Sequence, residues 1–226
     1  METNSKKSRR NFLGTLALGA AASGLSAFAN PLEANTSIGN NKKDLSEVEQ
    51  WFDNIKGSHR IVYDGSTPHN GLPILWNWAF YLTNNQTGSP DDDITAMTVL
   101  RHSAIALAME DRLWAKYKLG EFFDVKDHTK SHAVRNPFYE PQDGDYPING
   151  PGGIKSLQER GAMFCVCDLA LNVYSGFIAP GAGMEASEVY EDFKAGILSG
   201  IQVVPSGVWA LGRAQEHGCG YIFAGG

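Results

Sequence analysis

The 226-residue sequence contains few of the features that mark disulfide-rich and cofactor-binding proteins. It has three cysteines, and this odd number excludes a fully paired disulfide scaffold. It has no Gly-x-Gly-x-x-Gly turn after the first strand, no Walker phosphate loop and no Gly-x-Ser-x-Gly nucleophile turn. The Cys-x-x-Cys-His motif for haem attachment is also missing. The sequence therefore names no cofactor and assigns no enzyme class.

Positive charge is scarce outside the N-terminus. The chain has 19 Lys and Arg against 25 Asp and Glu, which gives a net charge of −6. Four of the positive charges and one negative charge lie in residues 1–29, so the rest of the chain carries −9. A surface of this sign repels phosphate backbones, which argues against a nucleic-acid partner.

The first 29 residues have the three parts of an export signal. A basic start (Lys6 to Arg10) precedes the apolar run Phe12–Ala29, and Ala27-Phe28-Ala29 offers a cleavage site. Arg9-Arg10 followed by Asn-Phe-Leu is typical of the twin-arginine route. We therefore predict a twin-arginine signal peptide over 1–29, the twin-arginine export machinery as a partner, and a periplasmic or exported location. An uncleaved membrane anchor and a chance Arg-Arg pair in a cytosolic protein are the alternatives.

No later apolar run approaches membrane length, so we predict no stable membrane span in the mature form. Residues 30–58 are interpreted as a polar spacer followed by a short helix that Asp44 can cap and Gly57 ends. Residues 59–226 alternate between strand and helix patterns and are predicted to form one α/β domain. A long segment without periodicity, 124–153, is predicted to be a loop insertion within it.

Five short strands are predicted in this domain, and helices separate them. The strands cover Arg60–Tyr63, Ile94–Leu100, Ala162–Cys167, Ile201–Val204 and Tyr221–Phe223. The predicted helices include an aromatic one, 72–82, expected to be buried nearly all round, and one that Ser103 caps and that continues to Tyr117. This alternation predicts a three-layer, mostly parallel five-stranded sheet of the flavodoxin-like kind. In such folds ligands bind beyond the carboxyl ends of the strands.

Cys167 is the leading candidate for chemistry because it ends the third predicted strand and precedes a helix. A helix N-terminus favours the thiolate, which is both a nucleophile and a soft metal ligand. The alternative is a small apolar residue packed in a strand. Cys165 shares its face by the period of two and is interpreted, like Cys219, as structural.

Histidines supply the other candidates. His102 ends the second strand and could serve as an acid, a base or a ligand, or could simply bond to loop backbone. Arg101 beside it could hold an anion or pair with a carboxylate. His69 lies in the loop after the first strand. His128 and His132 would share a face, and could bind metal, only if their segment were helical.

The last sixty residues resemble the DsrE/DsrF-like family of sulfur-relay proteins. The resemblance lies in two segments and the helix after them, Phe164-Cys165-Val166-Cys167-Asp168-Leu169-Ala170-Leu171, Gly200-Ile201-Gln202-Val203-Val204-Pro205-Ser206-Gly207, and Val208 to Tyr221. It implies a flavodoxin-like domain that self-associates as a homo-oligomer. It also implies a persulfide-carrying cysteine, for which Cys167 matches best. The export signal, the 124–153 insertion and Arg101-His102 depart from the relay proteins.

Three hypotheses follow from the sequence. In the first, an exported DsrE-like domain binds or transfers sulfane sulfur at Cys167, and His102 assists as a proton acceptor or hydrogen-bond donor. In the second, Cys167 and His102 are ligands in a metal or small-ligand binding module without turnover. In the third, the chain is an oligomeric structural protein.

Overall fold

A five-stranded sheet, with all strands parallel, organises the protein. The computed structural model describes residues 42–225, with side chains from Ser46 onward. The strands follow the order β4-β3-β2-β1-β5. Their bounds are β1 His59–Gly65, β2 Ile94–Leu100, β3 Met163–Cys167, β4 Ile201–Val204 and β5 Gly220–Phe223. The predicted five-stranded α/β fold is therefore confirmed. The predicted signal peptide lies outside the described residues.

Eight α-helices connect or precede these strands within residues 42–225. Their bounds are α1 Lys42–Phe52, α2 Leu72–Gln86, α3 Asp111–Tyr117, α4 Leu119–Phe122, α5 Ile154–Glu159, α6 Asp168–Ala182, α7 Ala186–Ala195 and α8 Gly207–Glu216. Short 3₁₀ helices cover His69–Gly71, Asp91–Asp93 and His102–Ala108. None of the helices described is both long and apolar enough to cross a membrane.

The two faces of the sheet carry two separate apolar cores. Alternate residues of β2 divide between them: Ala96 and Leu100 join the larger core, whereas Met97 and Val99 join the smaller one. The larger core takes side chains from α2, α3, α5, α6 and α7, and the smaller one from α1 and α8. The sheet is therefore the middle of three layers, as strands buried on both faces require.

The helix predicted from Ser103 to Tyr117 is wrong. Residues 102–108 form a 3₁₀ helix, Met109 is extended, and α3 begins only at Asp111. Met109 is extended because it forms an antiparallel bridge with Ile197, and Leu198 donates its backbone N–H to the Ala108 carbonyl at 2.9 Å. Backbone groups that would continue a helix are thus used by the chain after α7.

Two further expectations are modified. The aromatic helix α2 is not buried all round, since Trp76 is 37% exposed. The 124–153 segment lacks regular elements, as predicted, but it is not loosely held. Phe138 and Tyr146 are buried against the larger core. The buried carboxylate of Asp145 accepts backbone N–H groups from His128 at 2.8 Å and Gln142 at 2.7 Å.

Candidate functional site

The topology predicts a ligand crevice between the carboxyl ends of β3 and β4. These strands are neighbours, and Cys167 pairs with Val204 at their carboxyl ends. The chain leaves β3 into α6 on the face of the larger core and leaves β4 into α8 on the opposite face. Adjacent strands whose exits diverge in this way open the crevice where α/β proteins bind ligands.

Cys167 lies in this crevice and caps α6. Its Sγ accepts the backbone N–H of Ala170 at 3.3 Å, so the cysteine occupies the position that a serine or aspartate usually fills. The start of α8 lies beside it, where Ser206 caps the helix by accepting the Trp209 N–H at 3.3 Å. Leu169 donates its backbone N–H to the Pro205 carbonyl at 3.3 Å and ties the two helix starts together. The sequence prediction that Cys167 precedes a helix is confirmed.

The expected lowering of the thiol pKa is wrong. Burial raises the pKa of Cys167, and the backbone amides of Gly207 and Ala170 and the charge of Arg101 only partly offset that rise. Burial outweighs them because it removes water from the thiolate, whereas the amides supply only partial charges. The neighbouring Asp168, whose own pKa is raised by burial, acts in the same direction as burial on Cys167.

Arg101 is the cation of the site. Its Nε and Nη2 bind Oδ1 and Oδ2 of Asp64 at 2.6 and 2.9 Å, a two-bond pair at the ends of β2 and β1. Tyr221 of β5 donates its hydroxyl to the same Oδ2 at 2.8 Å. On its other side Arg101 packs against Gly207, the first residue of α8, where an added Cβ would lie 2.5 Å from the Arg101 Cβ.

His102 lies at the same edge of the sheet but makes other contacts. Its ring meets the Tyr174 ring edge-on with centroids 5.6 Å apart, and the Tyr174 hydroxyl lies 3.2 Å from Nδ1. Nδ1 also lies 3.3 Å from the Ser103 hydroxyl. No hydrogen bond between His102 and Cys167 is present among the described residues. The backbone of His102 has φ 51°, in the left-handed region that non-glycine residues uncommonly adopt.

The remaining sequence candidates lie apart. Cys165 is fully buried in the smaller core, whereas Cys167 joins the larger one, so the two do not share a face as the strand period predicted. Cys219 is buried before β5. His128 lies beside Asp145 and His132 beside Asp124, in a segment that is not helical. Within the described part of the chain, no group of three or more His, Cys, Asp or Glu residues could hold a metal ion.

Arg101 was a candidate from the sequence, whereas its partners Asp64 and Tyr221 were not. Tyr221 is 157 positions from Asp64, and only the placement of β5 beside β1 brings them together. The 3₁₀ helix after His102 and the aromatic contacts of Tyr174 were equally out of reach, because they depend on packing rather than on spacing.

Comparisons with known proteins add little to this geometry. No family model matches the chain, and no curated protein matches it. Among solved structures, the chain is similar to the protein of unknown function MTH1491 from Methanobacterium thermoautotrophicum. The two are 16% identical with a TM-score of 0.38, over 74% of this chain and 99% of that chain.

Proposed function

We propose that Cys167 binds a sulfane sulfur atom and passes it to an acceptor thiol. The observation that carries this proposal is the position of Cys167, whose Sγ lies at the β3–β4 strand ends beside first-turn amides of α6 and α8, with Arg101 next to it across β2 and β3. All three groups favour a negative charge on sulfur. The resemblance of the β3 and β4 exits to the sulfur-relay family points to the same residue.

Burial explains why the bound form would be a persulfide. The Cys167 thiol is only 6% exposed and its pKa is raised by burial, so at neutral pH it is mostly a weak nucleophile. A persulfide is a stronger acid than its parent thiol, so more of it is ionised at neutral pH. The amides and Arg101 therefore stabilise the loaded anion more than they activate the empty thiol.

The transfer step is a thiol–persulfide exchange. The Cys167 thiolate attacks the outer sulfur of a persulfide or polysulfide donor and a new S–S bond forms. The donor's S–S bond breaks, and the donor leaves as a thiolate with the electron pair. The reverse attack by an acceptor thiolate unloads the sulfur. No oxidant or reductant enters the balance.

Incubation with inorganic polysulfide, followed by gel filtration and intact-protein mass spectrometry, tests the proposal. We expect one added sulfur in the native protein, its loss on addition of a small thiol, and no added sulfur in Cys167→Ser. Cys219→Ser is the matched control, because Cys219 is buried to the same degree and lies away from the crevice. Equal loading of native protein and Cys167→Ser would contradict the proposal.

We also propose that the protein is exported through the twin-arginine machinery. The support is Arg9-Arg10-Asn11-Phe12-Leu13 and the apolar run after it. Cell fractionation of the full chain tests this, with Arg9→Lys/Arg10→Lys as the variant. We expect the native chain outside the cytoplasm, shortened by about the predicted 29 residues, and the variant full-length inside it. Equal distribution of the two would contradict export by this route.

Self-association is a separate proposal and rests on β5. This strand forms one edge of the sheet, and Tyr221, Ile222 and Phe223 are all exposed large apolar residues. An exposed apolar edge strand is a template for pairing with another chain. Light scattering should give a mass above one chain for the native protein and one chain for Ile222→Lys. A native protein that scatters as a monomer would overturn the proposal.

A further inference from the structure

The buried carboxylate of Asp64, in β1, binds side chains from β5 and from the residue that follows β2. Its side chain is only 4% exposed, against 26% for Arg101, yet it accepts three hydrogen bonds from side chains. Two come from the Arg101 guanidinium and one from the Tyr221 hydroxyl. Since β5, β1 and the end of β2 meet here, the orientation of Arg101 depends on β5.

On its other side, Arg101 packs against the start of α8, the helix whose N-terminus lies beside the Cys167 thiol. Its Cβ and Cδ would lie 2.5 and 3.0 Å from a Cβ added to Gly207, so side chain and helix start are in close contact. The backbone amide of that same Gly207 acts on Cys167, as does the charge of Arg101 itself. The β2–β3 register supports this placement, because Leu100 pairs with Val166 and the next residues along the two strands are Arg101 and Cys167. Arg101 is therefore held between a carboxylate and the cysteine site.

We propose that Asp64 and Tyr221 are positioning residues that hold the Arg101 guanidinium beside Cys167 and so set how readily its sulfur becomes an anion. Asp64 fixes the plane of the guanidinium through two bonds. Tyr221 fixes Asp64 and draws part of its negative charge away from Arg101. This inference concerns the thiol itself and needs no sulfur donor, so it stands or falls separately from sulfur transfer.

Other groups near Cys167 act on its thiol independently of Tyr221, Asp64 and Arg101. Asp168, the first residue of α6, opposes ionisation of the Cys167 thiol. The buried Cys165 of β3 also interacts with the Cys167 thiol. Neither contacts Asp64 or Tyr221 among the described hydrogen bonds. A change confined to Tyr221 therefore reaches the thiol through Arg101.

The alkylation rate of Cys167, measured against pH and resolved by peptide mass spectrometry, tests the proposal. Tyr221→Phe removes one hydroxyl from a half-exposed side chain. We expect it to slow alkylation about threefold below the midpoint, because Arg101 becomes both less fixed and more neutralised. Arg101→Gln should slow it at least as much. Tyr221→Phe added to Arg101→Gln should slow it no further, since the hydroxyl acts through Arg101.

Tyr117→Phe is the matched control. Its hydroxyl also lies within hydrogen-bond distance of an aspartate, Asp192 at 2.6 Å, but on α3 and away from the crevice. It should leave Cys167 alkylation unchanged. Asp64→Asn separates two roles: a mere counter-charge would make alkylation faster when removed, whereas a positioning residue makes it slower. Equal rates for Tyr221→Phe and Tyr117→Phe, or additive effects in the double variant, would overturn the inference.

Discussion

Gly207 packs against Arg101 at the start of α8, and its replacement by alanine should lower both the stability of the fold and the reactivity of Cys167. The added Cβ would lie 2.5 Å from the Arg101 Cβ, a distance that real Cβ atoms do not show. The Arg101 Cβ is fixed to the backbone directly after β2, so it cannot swing aside as a side-chain tip would. Either α8 shifts away from β2 or the Arg101–Asp64 pair is disturbed.

Gly212 in the same helix supplies the comparison. Nothing lies within 4 Å of a Cβ added there, and its backbone is helical. Gly212→Ala should therefore gain about 0.5–1 kcal/mol in free energy of unfolding from the lower entropy of the unfolded chain. Gly207→Ala should lose about 1–3 kcal/mol through overpacking. For a domain of this size, a gap of about 3 kcal/mol between them separates their Tm values by roughly 6–12 °C.

Urea titration and thermal melting measure this gap, and alkylation of Cys167 supplies the site readout. We expect Gly207→Ala to melt below the native protein and to alkylate more slowly, because Arg101 is displaced. Gly212→Ala should melt above it and alkylate at the native rate. Equal stability of the two variants would contradict close packing at Gly207. A Gly207→Ala protein that melts lower but alkylates at the native rate would contradict the link between Gly207 and the site.

Three further predictions concern His102, Asp192 and the 124–153 insertion. His102→Ala should leave the midpoint pH of Cys167 alkylation unchanged, because the contacts of His102 are with Tyr174 and Ser103; a shift as large as that of Arg101→Gln would restore its proposed role. Although burial opposes it, hydrogen bonds from Lys116, Tyr117 and Arg112 lower the pKa of Asp192 from 3.8 to about 2. Asp192→Asn should therefore cost about 1–2 kcal/mol at neutral pH, a difference that falls as the pH drops from 4 through 2 in urea titrations. Asp145→Asn should open residues 124–153 to limited proteolysis before the sheet unfolds, because Asp145 binds Arg135 and two backbone amides; cleavage at native rates would contradict this.

The strands could be predicted because their signal is local. Runs such as Ile94–Leu100 carry no charge and are mostly apolar, as suits a strand buried on both faces, and turn residues flank them. Cys167 could be placed at a helix start for the same reason. The break in the helix at Met109 could not be predicted, because its partner Ile197 is distant in sequence. The apolar spacing from Ser103 to Tyr117 fits a continuous helix.

The chemistry of the site depended on what spacing does not reveal. The direction of the Cys167 pKa shift was predicted from the helix start alone, and the degree of burial reversed it. The residues expected beside Cys167 also differ from those found there. His102 stood out by residue type, but the strand order brought Asp64, Arg101 and Tyr221 together instead.

The sulfur content of Cys167 relative to Cys219, measured in a single polysulfide-treated sample by site-resolved mass spectrometry, tests the central proposal most directly. The two cysteine residues are 6% and 7% exposed, so both are buried to a similar degree. Burial raises the pKa of Cys219 to about 11, with only Arg60 to offset it, and Cys219 has no helix amide acting on it. We expect sulfur on Cys167 and little or none on Cys219. Equal sulfur on both cysteines, or none on Cys167, would contradict it.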